Sequence, residues 1–280
     1  MSDELKIGSV PFINVRPLIY GIEDQVEYHP PSKLSMLMRS GLYQVAMLPI
    51  VEFLKTNLYE IIPSLGIISN GPVQSVVLFY RGRLEDLKIV TLDKNSLTSN
   101  KLLRLLFTEK LKIFPQYQLP PKPSTHNTID GLTPGQGVLL IGDDALTFPR
   151  GKDGIQSLDL GGAWTNWTKT PFVFAAWMVR KDLAPFTKRF IETLLTECLE
   201  KSKIHFEGLV NEIFLEKEKK IPRALIHQYL SSCLYHTIGP KELRGIELFG
   251  KYLSNLPNCS DTSFRPSVCG RRNLCGDHVS

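Results

Sequence analysis

Four segments of this chain place polar side chains where chemistry is possible. In S-V-P-F-I-N-V-R-P-L-I-Y-G (residues 9–21), Asn14 is a polar amide amid Phe12, Ile13, Val15 and Leu18, stiffened by Pro11 and Pro17. Its side chain either bonds the turn backbone, as Asn often does, or presents a neutral donor and acceptor to a ligand. D-K-N-S-L-T-S-N (93–100) carries Ser96, Thr98 and Ser99 around a predicted helix start. One hydroxyl suffices for a cap. Three hydroxyls, together with unpaired N–H groups and the positive end of the helix dipole, would also suit a carboxylate. I-G-D-D-A-L (141–146) puts Asp143 and Asp144 just past an apolar strand, where capping the next helix is the commoner role. An acid or base there would need a cleft that moves its pKa toward neutrality. Ser75 in G-P-V-Q-S-V-V-L-F-Y (71–80) sits where a strand begins, either satisfying a backbone neighbour or facing a ligand. Trp164, Trp167, Trp177, Phe172 and Phe174 are dense enough to be core, with a cleft lining as the alternative.

Other chemistries lack their signatures. The chain has no G-x-G-x-x-G after a strand, no phosphate-loop motif, no H-E-x-x-H and no G-x-S-x-G elbow. G-L-T-P-G-Q-G (131–137) reads as a turn, and K-E-K-K (217–220) as a solvated face. Cys259, Cys269, Cys275 and His278 lack the tight C-x2-C spacing of a zinc knuckle, so they read as a reduced tail.

The elements around these residues follow from apolar spacing. Strands are expected at Leu5–Val10, Val26–Tyr28, Val45–Leu48, Ser75–Tyr80, Leu87–Leu92, Gly137–Ile141 and Phe172–Val179. Short helices fall between them, one capped by Ser32 and ended by Gly41. From Ala184 the pattern turns helical, in segments with Pro starts, until about Pro257. Strand–helix alternation predicts an α/β architecture with mainly parallel sheets. The 280 residues fit two lobes around a cleft. The expected division is 1–84 with 176–257 in a first lobe, 85–175 in a second, and a disordered tail over 258–280. Two interlobe passages, one after Tyr80 and one near the Phe172 strand, make a hinge.

Composition narrows the partners. With 33 Lys and Arg against 28 Asp and Glu, the net charge of +5 suits a small anion and is too weak to imply nucleic acid. No apolar run reaches the roughly 20 residues of a bilayer span. The start M-S-D-E-L-K-I-G lacks a secretory pattern, so the expected location is cytoplasmic.

Taken in order, V-P-F-I-N-V-R-P-L-I-Y-G, G-P-V-Q-S-V, S-L-T-S-N, L-I-G-D-D-A-L and D-L-G-G-A-W-T-N-W-T-K-T-P-F-V-F-A-A-W resemble the chorismate dehydratase family of the futalosine route to menaquinone. The resemblance covers about residues 5–255. It implies a two-lobed fold like type II periplasmic binding proteins and a hydro-lyase acting on chorismate, a dicarboxylate, without cofactor or metal. It implies Asn14 as the catalytic amide, partner of the leaving hydroxyl or the ether oxygen. Ser75, Ser96, Thr98, Ser99, Asp143 and Phe172 are implied as substrate-binding, with Asp143 the protein alternative to a substrate carboxylate as base. The sister enzyme, which makes 1,4-dihydroxy-6-naphthoate, opens with a Ser-Pro-Cys-Pro-Asn-Asp-Thr-like stretch, and Ser9–Asn14 departs from it. A non-catalytic solute-binding protein would share the hinged cleft.

Overall fold

The computed structural model describes residues 5–120 and 125–256. The cysteine tail beyond Pro257 therefore lies outside the described residues. Two five-stranded sheets carry the architecture. The first holds β1 (Ile7–Ser9), β2 (Val26–Tyr28), β3 (Val45–Pro49), β4 (Tyr59–Ser69) and, from far along the chain, β10 (Phe172–Arg180). Its order is β2-β1-β3-β10-β4. The second holds β5 (Val76–Arg81), β6 (Ile89–Thr91), β7 (Gln116–Gln118), β8 (Gln136–Ile141) and β9 (Ile155–Asp159), in the order β7-β6-β8-β5-β9.

The sheets are mixed rather than mainly parallel. β1 runs parallel to β2 and β3, and β6 parallel to β7 and β8, as strand–helix alternation requires. β10 is antiparallel to both β3 and β4, and β5 is antiparallel to both β8 and β9. In each sheet the antiparallel strand is the one the chain enters from the other lobe. The passages also fall earlier than expected. β5 belongs to the second sheet, so the first crossing is at residues 70–75 and not at 84, and the return reaches the first sheet at Phe172 and not at 176. An apolar strand reads the same whichever sheet it joins, because its pairing partners are remote in sequence. β4 was absent from the sequence pattern, since Pro63, Ser64 (φ +64°) and Gly66 interrupt its alternation.

Helices cover the sheets. α1 (Pro31–Arg39) begins one residue before Ser32, with Pro30 in the cap position and no side-chain cap bond. Pro at the first helical position has a φ already suited to the helix, which removes the need for Ser32 as cap. α2 (Ile50–Lys55), α3 (Leu97–Leu105), α4 (His126–Asp130), α5 (Gly142–Thr147) and α6 (Leu160–Thr168) connect the strands. α7 (Pro185–Ile204), α8 (Phe206–Glu216), α9 (Arg223–Gln228) and α10 (Pro240–Asn255) form the C-terminal set. α9 widens into a π-helical turn over Tyr229–Cys233. Among the described residues no helix is long and apolar enough to cross a membrane.

The segment after that turn docks on β4. Ile68 and Tyr235 exchange backbone hydrogen bonds (3.0 and 3.1 Å), and Gly66 N–H donates to the His236 carbonyl at 2.8 Å. The His236 Nδ1–H donates to the Gly66 carbonyl at 2.8 Å, and burial pulls the imidazole pKa from 6.5 down to about 4. A His with a depressed folded pKa contributes its full stability above about pH 6.5 and loses it as pH falls toward 4. Thermal melting across that window should show Tm falling with pH in the wild type, with a shallower fall in His236→Gln. Parallel profiles for the two proteins would remove His236 as the titrating group.

Candidate active site between the lobes

Strand carboxyl ends of both sheets converge on one cleft, the position open α/β sheets reserve for ligands. Val10 follows β1, Pro49 ends β3, the α3 start follows β6, and Ile141 ends β8 just before Gly142 opens α5. The cleft encloses about 640 Å³ of non-atom space, part of it open to solvent.

Asn14 reaches it from a 3-10 turn, Ile13–Leu18, that directly follows β1. That turn buries Ile13, Val15, Pro17 and Leu18, which leaves Asn14 facing the cleft. The Asn14 Oδ1 is shut off from solvent and has no hydrogen-bond partner. A buried acceptor left unpaired costs about 1–3 kcal/mol, and a ligand donor would remove that cost.

Ser75 is held twice. Its carbonyl accepts the Gly142 N–H at 2.8 Å, a consequence of the β5–β8 register that pairs Val76 with Ile141. Its hydroxyl accepts the Tyr229 O–H at 2.7 Å. The crossing that carries Ser75 is clamped by Asp159, which accepts N–H bonds from Val73 (3.0 Å), Gln74 (2.7 Å) and Gly162 (2.9 Å). Arg150 Nη2 adds a bond to the Gln74 carbonyl at 2.7 Å.

The hydroxyl-rich turn contains both a cap and a vacant donor set. Ser96 Oγ accepts the Ser99 N–H at 3.2 Å and caps α3. Asn100 pins the approach by bonding the Asp93 backbone at 3.0 and 2.7 Å, while Asp93 accepts the Asn95 N–H at 2.8 Å. Burial holds the Asp93 pKa above the usual carboxylate value. Thr98 is buried, lines the cleft and leaves its Oγ1 without a partner. Ser99 lines the same wall. One hydroxyl therefore does the structural work, and Thr98 and Ser99 face the ligand space at the positive end of a helix.

Two expected residues stand elsewhere. Asp143 neither caps α5 nor lines the cleft. Its Oδ1 accepts the Ile13 N–H at 3.3 Å across the lobes, and its Oδ2 pairs with Lys217 Nζ at 2.6 Å. It ties both lobes to the end of α8, and Lys217 is thereby engaged rather than merely solvated. Phe172 is core, with ring centroids 5.3 Å from Trp164, 5.0 Å from Phe249 and 4.7 Å from Phe174. Phe174 is the aromatic of that group that borders the cleft, because Phe172 sits farther back under α6 and α10.

Tyr229 was not singled out in the sequence. It falls on the same apolar stripe as Ile226, Leu230 and Cys233 and so reads as packing. The available signal was its hydroxyl, since a buried tyrosine O–H needs a partner. Burial raises its pKa, which keeps the phenol protonated.

The family described as menaquinone biosynthesis matches residues 5–255, nearly all of the described chain. The chain belongs to that family. It is also 26% identical to the chorismate dehydratase of Thermus thermophilus over 268 residues, covering 88% of this chain and 94% of that one. Among solved structures, a structural-genomics protein from Archaeoglobus fulgidus superposes with a TM-score of 0.73 at 13% identity, covering 90% of this chain and 97% of that one. The periplasmic aliphatic sulphonate binding protein SsuA from Escherichia coli superposes with a TM-score of 0.56 at 17% identity, covering 99% and 96%. The fold of this menaquinone-biosynthesis protein is thus that of the periplasmic binding proteins, two α/β lobes around a ligand cleft.

The mouth of the cleft depends on Gly142. Its φ is +62°, and a Cβ there would meet the Phe12 ring at 2.9 Å. Gly142→Ala should therefore cost about 1–3 kcal/mol in urea unfolding, more than Gly21→Ala, where φ is also positive but the space is open. Equal costs at the two sites would show that the Phe12 contact contributes nothing.

Proposed function

We propose that this chain is a chorismate dehydratase, a cytoplasmic hydro-lyase of the futalosine route that converts chorismate to 3-[(1-carboxyvinyl)oxy]benzoate and water. The observation that carries this reading is the composition of the cleft wall. Its described residues include Asn14, Ser75, Ser96, Thr98 and Ser99, but no Asp, Glu, His, Lys, Arg or Cys. Such a wall suits a reaction whose driving force and base both come from the substrate. The similarity to the Thermus thermophilus enzyme supports the same substrate.

The reaction balances without an added reagent. The ring carbon bearing the ether loses its proton, the neighbouring carbon loses hydroxide, and the freed C–H electron pair completes the aromatic ring. The proton and hydroxide leave together as water. A carboxylate of the enolpyruvyl group lies close enough in the substrate itself to take the proton, and no protein carboxylate competes for it. The α3 start, with Thr98 and Ser99, holds the other carboxylate. Asn14 Oδ1 accepts the hydrogen bond of the substrate hydroxyl and so fixes the ring. Enclosure between the lobes selects this elimination over loss of the enolpyruvyl group, by holding one conformer away from bulk water.

Purified protein incubated with chorismate alone should give a product lighter by one water, with the enolpyruvyl group retained, as resolved by chromatography and mass. Asn14→Ala should lower turnover at least a hundredfold while chorismate still binds in calorimetry. Chorismate left unchanged by the wild-type protein would contradict the reading. Turnover of a cyclic futalosine derivative would then favour the naphthoate-forming sister reaction, and tight binding without turnover a solute-binding role.

A further inference from the structure

One buried phenol donates its proton to a hydroxyl of the cleft wall. Tyr229 is buried and adjoins Asn14 and Ser75 together. The Asn14 Oδ1 has no partner and is left to accept from a ligand. The phenol's single proton goes to Ser75 Oγ, at 2.7 Å. Ser75 Oγ, having accepted, keeps its own proton for another partner.

We infer that Tyr229 is a positioning residue that sets the direction of the Ser75 hydroxyl, so that the cleft offers an acceptor at Asn14 Oδ1 and a donor at Ser75 Oγ. This pair is complementary to an alcohol, which donates to Asn14 and accepts from Ser75. The inference rests on the chorismate reading for its substrate: the ring hydroxyl is the group so held, and the Ser75 bond strengthens as that oxygen departs with the C–O electron pair. Two further features support the assignment. Tyr229 opens a π-helical turn, an irregularity frequent at functional sites. Burial raises its pKa, so the proton is present throughout the neutral range.

The test is Tyr229→Phe, which removes one oxygen and keeps the ring. With chorismate, kcat should fall at least tenfold while KM stays within about threefold and Tm within a few degrees. A residue that merely supported the fold would move Tm instead. Ser75→Ala combined with Tyr229→Phe should be no more than about twofold slower than Ser75→Ala alone, since Tyr229 acts through the Ser75 hydroxyl. Wild-type kcat in Tyr229→Phe, or losses that multiply, would overturn the inference, whereas an inactive wild type would overturn the chorismate reading instead. Should Tyr229→Phe not fold, the wild-type protein still decides the matter by calorimetry with a hydrogenated, non-aromatising chorismate analogue and its ring O-methyl ether. The hydroxyl form should bind at least tenfold more tightly, because the ether has no proton for Asn14. Equal binding would overturn the acceptor–donor pair, and binding of neither compound would overturn the pair and the substrate together.

Discussion

The half-buried carboxylate of Asp159 is the constraint on which the two-lobed arrangement turns. It accepts backbone N–H bonds from Val73 and Gln74 on the outward crossing and from Gly162 at the start of the returning helix α6. Both passages between the lobes are thus fastened to one side chain. Hydrogen bonds to a charged acceptor contribute about 1.5–3 kcal/mol each, so the crossing is held firmly where a hinge would otherwise be loose. That rigidity sets the place of Ser75, the next residue along, and the β5–β8 register then brings Ser75 to Gly142 at the mouth of the cleft.

Closure is built from contacts of a different kind. Phe12 of the first lobe lies against the Cα of Gly142 in the second, and Asp143 draws in the Ile13 N–H and the Lys217 ammonium. These groups stand at the rim, where separating the lobes would expose them. The charges therefore guard the entrance, while the interior keeps only neutral hydroxyls, an amide and a helix terminus. Under the proposed dehydratase reading, keeping ionisable side chains out of the wall has a chemical use, because a protein acid beside the enolpyruvyl ether would favour its loss over that of water.

Much of this was legible in the residues. Asn14 between two prolines, and three hydroxyls at a helix start, carry their geometry with them: a turn after a strand and a capped helix are local structures. The α/β class followed equally from local periodicity. What was not legible depended on docking in space. The apolar run Val76–Arg81 does not say which sheet it joins, so the lobe boundary was misplaced. Asp143 looked like a cap or a site residue because nothing nearby in sequence announces Lys217 or Ile13 as its partners. Tyr229 sits on an ordinary apolar stripe more than 150 residues from Ser75, and only the packing of the C-terminal helices places its hydroxyl there.

The central claim is that this cleft performs its elimination with no titrating side chain in its wall, and the pH dependence of kcat/KM for chorismate tests it most directly. Both substrate carboxylates are ionised above about pH 5, and protein groups that act as acid or base show themselves as limbs near their pKa. The account predicts a profile flat from about pH 6 to about pH 9. A limb in that interval that persists under substrate saturation would contradict it and require a protein acid or base at the reacting carbons.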